Sequence, residues 1–285
     1  MEVIFNKKLL EHNPHGKYHG SHRLKGFLEK YSDTAIDFDP MPYITKVHSK
    51  EYIAKFAHEC KTNGYMAEVF LSPASFECAV LGVGLTIKAS ETGNLAVVST
   101  GGHHAGTGYG LGFCFFNNDA IVVKALLDKG RRVALLDIDG HRGDGTQDIL
   151  EHEPDALLVS LHQMGAYGGD GDKFSNSNAI NFALSPRISE QAYMAALKEA
   201  LTYINDFEPD ILGICAGFDT YKEDALLKFD LEIESYWRIG RLVAENHKNI
   251  FAFLAGGYHD KVLECVESFV NGVNCVTPVR REDSN

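Results

Sequence analysis

The chain has 285 residues, of which 45% are hydrophobic and 23% charged, a soluble globular balance that excludes a disordered or collagen-like chain and leaves room for a large core. Its formal net charge of −12 disfavours a nucleic-acid partner, which needs a basic patch; it weakly favours a cationic ligand through steering, but an ordinary acidic soluble surface is the better account. No apolar run approaches the roughly 18 residues that span a bilayer, the opening MEVIFNKKLLEHNPHG lacks the order of a signal peptide, and the six cysteines (Cys60, Cys78, Cys114, Cys215, Cys265, Cys275) form no CxxC pair. The expectation is a reduced, cytoplasmic protein with no nucleic-acid or membrane partner.

In chain order, HNPHGKYHGSHRL comes first, with His12, His15, His19 and His22 read as a solvated histidine-rich loop. Apolar, β-branched runs follow at residues 94–100 (NLAVVST), 131–139 (RRVALLDID), 155–162 (DALLVSLH), 179–184 (AINFAL), 210–218 (DILGICAGF) and 249–257 (NIFAFLAGG). The stretch SEQAYMAALKEALTYINDF predicts a helix capped by Ser189, with Tyr193, Leu197, Leu201 and Ile204 at three-to-four spacing. DKVLECVESFVNGV predicts another, with Val262, Leu263, Val266, Phe269 and Val270 on one stripe and Gly272 as its stop. Strands apolar on both faces and separated by helices describe an α/β protein with a parallel sheet covered on both sides. No repeat or linker divides residues 1–285, which are read as a single domain.

In such sheets ligands bind beyond the carboxyl ends of the strands, and here those ends carry GGHHAGTGYG, GHRGDG, QMGAYGGDG, DTYKED and YHD. Alternation in extended backbone places Asp137, Asp139 and His141 on one side, with Ile138 on the other. A lone aspartate at a strand end commonly caps a turn; DxDxHxGDG as a unit is more demanding. Asp139 and His141, joined by Asp219 from another strand end, supply two carboxylates and one imidazole. That donor set suits an open catalytic zinc or ferrous ion better than a closed thiolate site, and Asp137 is read as orienting a neighbour. His103 and His104, presented by a glycine-bounded loop with Asp137 and Asp144 to hold their Nδ1 protons, make a general acid/base pair. Tyr258, after LAGG, is placed to donate its phenol to a carbonyl oxygen as charge develops.

The stretches GGHHA (101–105), GFCFFNND (112–119), DIDGHRGDGTQD (137–148), SLH (160–162), AGFD (216–219) and AGGY (255–258) together resemble the histone deacetylase family, which includes prokaryotic acetylpolyamine amidohydrolases and acetoin-utilisation proteins. VHSKEYIAKF (47–56) resembles the family's early helix and LSPASFECAVLGVG (71–84) the segment after it. The resemblance implies a three-layer arginase/deacetylase-like fold with a mainly parallel sheet of about eight strands flanked by helices. It implies zinc, with iron(II) as the alternative, on Asp139, His141 and Asp219, and a structural potassium ion near Asp137, Asp139, His141, Ser160 and Leu161. By the same resemblance His104 is the principal acid/base, His103 its electrostatic companion, Asp137 and Asp144 their partners, and Tyr258 the transition-state donor. Phe113 and Tyr167 are matched to the aromatic walls of an acyl-lysine channel, and Arg23 to the arginine of an internal acetate channel.

Three positions and one segment depart from the family pattern. Gly102, counted with the substrate channel, stands where many eukaryotic members carry a bulkier residue; Arg142 stands where histidine or asparagine is common. Leu226, also in the channel, replaces the acidic gatekeeper of a polyamine-selective relative, and HNPHGKYHGSHRL departs from the usual HPExPxR. The implied activity is metal-dependent removal of acetyl or related acyl groups from an amine such as acyl-lysine, an acylated polyamine or another small acylamine. A ureohydrolase would need DxHxD and a second DxD cluster for two ions, and a binding module without turnover would have no need of the full acid/base set. A homo-oligomer is compatible with all of these readings.

Overall fold

The computed structural model describes residues 1–12, 18, 21–176 and 178–274; the readings of His15, His19 and Cys275 lie outside them, while His12, read as solvated, is buried with Nδ1 2.9 Å from the Ser75 hydroxyl. In chain order the strands are β1 (Val3–Ile4), β2 (Tyr65–Met66), β3 (Val69–Phe70), β4 (Leu95–Ala96), β5 (Val133–Asp137), β6 (Ala156–Gln163), β7 (Phe174–Asn176), β8 (Ala179–Leu184), β9 (Ile211–Ala216) and β10 (Ile250–Leu254). Eight of them form one sheet in the order β1-β4-β10-β9-β5-β6-β8-β7, while β2 and β3 form a separate hairpin. Every pairing in the large sheet is parallel except β7 with β8. Each residue of β5, β9 and β10 is buried, as expected for strands covered on both faces. The run at 94–100 pairs as a strand only over Leu95–Ala96; beyond it the chain leaves the sheet to form the loop bearing His103 and His104.

The helices are α1 (Lys25–Lys30), α2 (Met41–Val47), α3 (Lys50–Lys61), α4 (Ser75–Thr92), α5 (Asn118–Leu127), α6 (Asp144–Leu150), α7 (Glu190–Phe207), α8 (Ile233–Asn246) and α9 (Val262–Val273). They pack in two groups, α2 to α6 about α4 and α5 on β4, β5 and β10, and α7 to α9 in succession, with α7 on β6 and β8. The result is a helix–sheet–helix sandwich. Ser189 caps α7 by accepting the Ala192 N–H at 3.3 Å, as its position predicts.

Gly272 corrects an expectation. It does not stop α9, which continues to Val273; a Cβ there would meet the Arg241 backbone nitrogen at 3.0 Å and the Trp237 carbonyl carbon at 2.8 Å. Its missing side chain lets α9 and α8 approach closely, a use of glycine that depends on size rather than on helix termination.

The register fixes the site. β5 lies between β9 and β6, so Asp137 stands opposite Cys215 on one side and Ser160 on the other. The carboxyl ends of β5, β6, β9 and β10 therefore open on one edge of the sheet, where open α/β sheets place their ligands.

Candidate active site and metal centre

Strand β5 ends at Asp137, and a chain of short side-chain bonds continues from it. Asp137 Oδ1 accepts the Asp139 N–H at 3.0 Å and Asp139 Oδ1 accepts the His141 N–H at 2.9 Å. The spacing of two thus works through successive Asx-type bonds, not through the extended backbone expected from alternation. Asp219 arrives just past β9, where its Oδ1 accepts the Gly140 N–H at 2.7 Å, and Asp139 Oδ2 accepts the Gly256 N–H at 2.7 Å. Backbone amides from two loops so aim both carboxylates.

His141 Nδ1 lies 3.0 Å from Asp139 Oδ1 and 2.8 Å from Asp219 Oδ2. Donor atoms of the three residues all fall within 4.8 Å of one another, and all three residues are buried. Apart from this close approach of His141 Nδ1, which is not aligned as a hydrogen bond, Asp219 Oδ2 has no partner among the described residues, an expensive condition for a buried carboxylate oxygen that a cation among the three would relieve. Two carboxylates, one imidazole and no thiolate fit an open divalent-cation centre. A second grouping, His103, Asp137 and Cys215, is also close. There His103 and Asp137 are already bonded to each other, and burial, then the charge of Asp119, pushes the Cys215 thiol well above its ordinary range, so no thiolate is on offer.

His103 donates Nδ1–H to Asp137 Oδ2 at 2.9 Å and His104 donates Nδ1–H to Asp144 Oδ1 at 2.6 Å, with ring centroids 4.1 Å apart. The glycines of GHRGDG explain this proximity. A Cβ on Gly145 would meet the Ala105 carbonyl oxygen at 2.5 Å, and one on Gly143 would meet Asp137 Oδ2 at 2.7 Å. The two imidazoles are driven apart electrostatically. Burial lowers the proton affinity of His103, but the charges of Asp137 and Asp139 overcome it and raise the group well above its usual value. Burial and then the positive charge of His103 bring His104 down to about 4. In the cation-free protein one imidazole therefore carries a proton at neutral pH and its neighbour is free to accept one, the separation that an acid/base pair needs.

Above the carboxylates and histidines lies a cavity of about 380 Å³, whose lining includes His104, His141, Phe113, Tyr167, Leu226, Tyr258 and Glu68. Tyr167 packs edge-on to His104, centroids 5.0 Å apart, and Phe113 edge-on to Tyr258 at 5.9 Å. Burial raises the Tyr258 phenol well above its ordinary range, so it remains a donor. The Arg23 guanidinium bonds the Ala255 carbonyl at 2.7 Å and lies 5.2 Å from the centroid of the Tyr258 ring. Gly102 does not join this group. It is buried away from the cavity, and its missing Cβ makes room for Asn118 N at 2.6 Å and Asp119 Oδ2 at 2.8 Å, so the position serves the seating of α5 and not the channel.

Three groups at the site had no role in the sequence reading. Glu68 sits in the turn of the β2–β3 hairpin, with Ala67 and itself at φ 52 and 59, and accepts the Gly112 N–H at 2.7 Å. Asp224 accepts the Tyr258 N–H at 2.7 Å and the Leu226 N–H at 2.8 Å, joining two cavity-bearing loops. Asp119, buried and within the field of His103, is pushed up to about 7 by burial. The turn at Ala67–Glu68 lacks the Asn-Gly type of signal that marks a hairpin, and the two aspartates acquire partners only through tertiary contact.

The histone deacetylase domain profile matches residues 29–273. The chain belongs to the histone deacetylase family. A probable deacetylase of Archaeoglobus fulgidus is 32% identical over 236 residues, 75% of this chain and 66% of that protein. Acetylpolyamine amidohydrolase 1 of Pseudomonas aeruginosa is 38% identical over 167 residues, 55% of this chain and 48% of that protein. The chain thus matches about half to two thirds of the length of these two relatives. An HDAC homologue from Aquifex aeolicus superposes with a TM-score of 0.81 at 22% identity, over 94% of this chain and 82% of the other, a likeness of fold. The three-layer, mostly parallel architecture is therefore that of the histone deacetylase family, as the motifs of the sequence imply. No helix of the described residues is long and apolar enough to cross a membrane.

Proposed function

We propose that this histone deacetylase family member is a metal-dependent amidohydrolase that removes acetyl or a related acyl group from an amine. The observation that carries this reading is the pairing of a buried Asp139–His141–Asp219 donor set with two adjacent imidazoles, each held by its own carboxylate, beside one cavity. A divalent cation held by those three residues supplies Lewis-acid polarisation of the acyl carbonyl and acidifies a water.

The protein groups do the rest. His104, unprotonated at neutral pH, takes the proton of the attacking water on Nε2 while Asp144 fixes its tautomer through Nδ1–H, and returns that proton to the leaving amine. His103, protonated and held by Asp137, contributes positive charge beside the reacting carbonyl. Tyr258 donates its phenol to the oxygen on which negative charge accumulates. Phe113, Tyr167 and Leu226 exclude water and pack on the aliphatic stem of the substrate.

Zinc is the cation we assign, with iron(II) as the alternative acceptable to the same donors; a structural potassium ion near Asp137, Asp139, His141, Ser160 and Leu161 is assigned with it. Acyl-lysine and small acylated amines share the scissile amide. The name of the Pseudomonas relative supports the small-amine class, whereas apolar Leu226 in the cavity supports an uncharged stem. Residues 1–285 act as one catalytic domain in this reading, and the five buried free cysteines among the described residues suit a reducing cytoplasm.

The test is turnover of the zinc-loaded protein on acetyl-lysine peptides, acetylated polyamines and longer acyl-lysines, with Tyr258→Phe alongside. The expected result is hydrolysis by the native protein and a loss of about a hundredfold to a thousandfold in kcat for the variant at unchanged metal content. Native-like turnover by Tyr258→Phe removes the phenol from the mechanism, and no hydrolysis of any amide by metal-loaded protein removes the activity itself.

A further inference from the structure

Arg142 follows a proposed metal ligand directly, yet its side chain turns to the glycine-rich loop of residues 164–171. Its Nε donates to the Gly168 carbonyl at 2.7 Å and its Nη1 to Gln147 Oε1 at 3.0 Å. The same Gln147 oxygen accepts from Asn181 Nδ2 at 3.1 Å, so the guanidinium is braced by α6 and β8. The loop it grips bears Tyr167 and lines the cavity with Gly165, Ala166 and Tyr167.

That loop has little to hold its own shape. Gly165, Gly168, Gly169 and Gly171 all have positive φ, from 63 to 88 degrees, and glycine carries the largest backbone entropy into the unfolded and open states. Side-chain bonds hold it at Asp170, whose carbonyl accepts His162 Nε2–H at 2.9 Å and whose Oδ1 accepts the Gly165 N–H at 2.5 Å; backbone bonds run from the Met164 N–H to the Leu184 carbonyl at 2.7 Å and, across the turn, from Ala166 N–H to Gln163 and Gly169 N–H to Ala166, each at 3.2 Å. The Arg142 bond ties the Gly168–Gly169 peptide to the body of the protein, whereas the N–H of that peptide bonds within the loop, to the Ala166 carbonyl at 3.2 Å. Packing there is tight. A Cβ on Gly168 would meet the Arg142 carbonyl oxygen at 2.7 Å and His104 Cε1 at 3.3 Å, and one on Gly112 would meet Tyr167 Cε1 and His104 Cγ, each at 2.9 Å.

We propose that Arg142 is a positioning residue that clamps the 164–171 loop, and with it the Tyr167 wall of the cavity, against His104. A charge-assisted bond to a carbonyl is among the stronger hydrogen bonds, and it substitutes for the stiffness that a loop with four glycines in eight residues lacks. Lysine or histidine at this position could not donate to Gly168 and Gln147 in the same fork. The clamp sets the width of the channel, so Arg142 acts on substrate through Tyr167 and not on the reacting atoms.

The tether itself is independent of the proposed activity; its effect on substrate rests on that reading. Amide hydrogen exchange of peptides covering 164–172 in the native protein, Arg142→Met and Arg142→Lys tests the first. Arg142→Met should exchange about tenfold faster or more there, with Arg142→Lys between the two and the rest of the protein unchanged. Unchanged exchange in Arg142→Met overturns the clamp. If Arg142→Met fails to fold, Arg142→Lys reads the same effect at smaller size, and native-like exchange in it overturns the clamp as well.

Kinetics on a long-stemmed acyl-amine tests the second. Arg142→Met should raise KM about tenfold with kcat within about twofold, and adding it to Tyr167→Ala should cost nothing further. Losses that multiply, or a fall in bound zinc, overturn action through Tyr167. Absence of hydrolysis by the native protein would remove the proposed activity and leave the exchange result to decide the clamp.

Discussion

Loading the centre with zinc should expel protons, and zinc affinity should therefore climb steeply with pH. In the cation-free protein burial favours neutral His141, but the carboxylates of Asp219 and Asp139 overcome it and raise the imidazole to about 10. A ligand nitrogen must be unprotonated. At neutral pH, about three units below that value, removing the proton costs about 4 kcal/mol of the gross binding energy, taking about 1.36 kcal/mol per unit. Asp219, raised to about 7 by burial and by Asp139, holds a second proton on the acid side. The apparent dissociation constant should weaken about tenfold for each pH unit lowered from 9 to 7, and more steeply below.

The assay is competition with a chromophoric chelator at about pH 6, 7 and 8, together with calorimetry in two buffers of different protonation enthalpy to count the protons released. Asp219→Asn, which removes the main charge raising His141, should weaken binding and flatten the slope above pH 7. The same raised proton affinity stabilises the cation-free fold. That contribution is complete below the ordinary histidine value of 6.5 and fades as pH rises toward 10, so apo stability and zinc affinity run in opposite directions with pH. Zinc affinity independent of pH across this range would refute His141 as a ligand.

Two further substitutions probe the supports of the site. Asp144→Asn should lower kcat/KM by about tenfold to a hundredfold at unchanged zinc content, because His104 loses the carboxylate that holds its Nδ1–H at 2.6 Å and becomes a still weaker base; native kinetics would show that the tautomer needs no such partner. Gly272→Ala should lower the melting temperature by about 3–10 °C in a calorimetric scan, although alanine is the better helix former, since its Cβ would press on the Trp237 and Arg241 backbone; an unchanged or higher melting temperature would show that α8 and α9 have slack at this crossing.

What the sequence disclosed and what it hid divide along a physical line. Continuous apolar runs such as 211–216 and 250–254 were legible as strands because burial on both faces leaves no alternating pattern. Helix α8 went unread although Tyr236, Ile239, Gly240, Val243 and Ala244 recur on its buried face at helical spacing; charged residues are interspersed along the segment and no continuous apolar run marks it. Gly272 could be read only as a stop, since helix termination and close approach both exploit a missing Cβ and the partner backbone at Trp237 lies far away in the chain.

The acids and histidines of the site stood out for a related reason: few residue types can hold a divalent ion or carry a proton, and five strand-end loops concentrated them. Their orientation was invisible. Asp139 and Asp219 are aimed by the amides of Gly256 and Gly140, and the Tyr167 loop is held through the carbonyl of Gly168. Backbone groups have no letter in the sequence. Side-chain chemistry thus announces a centre of this kind, while its geometry rests on peptide groups whose positions only the fold supplies.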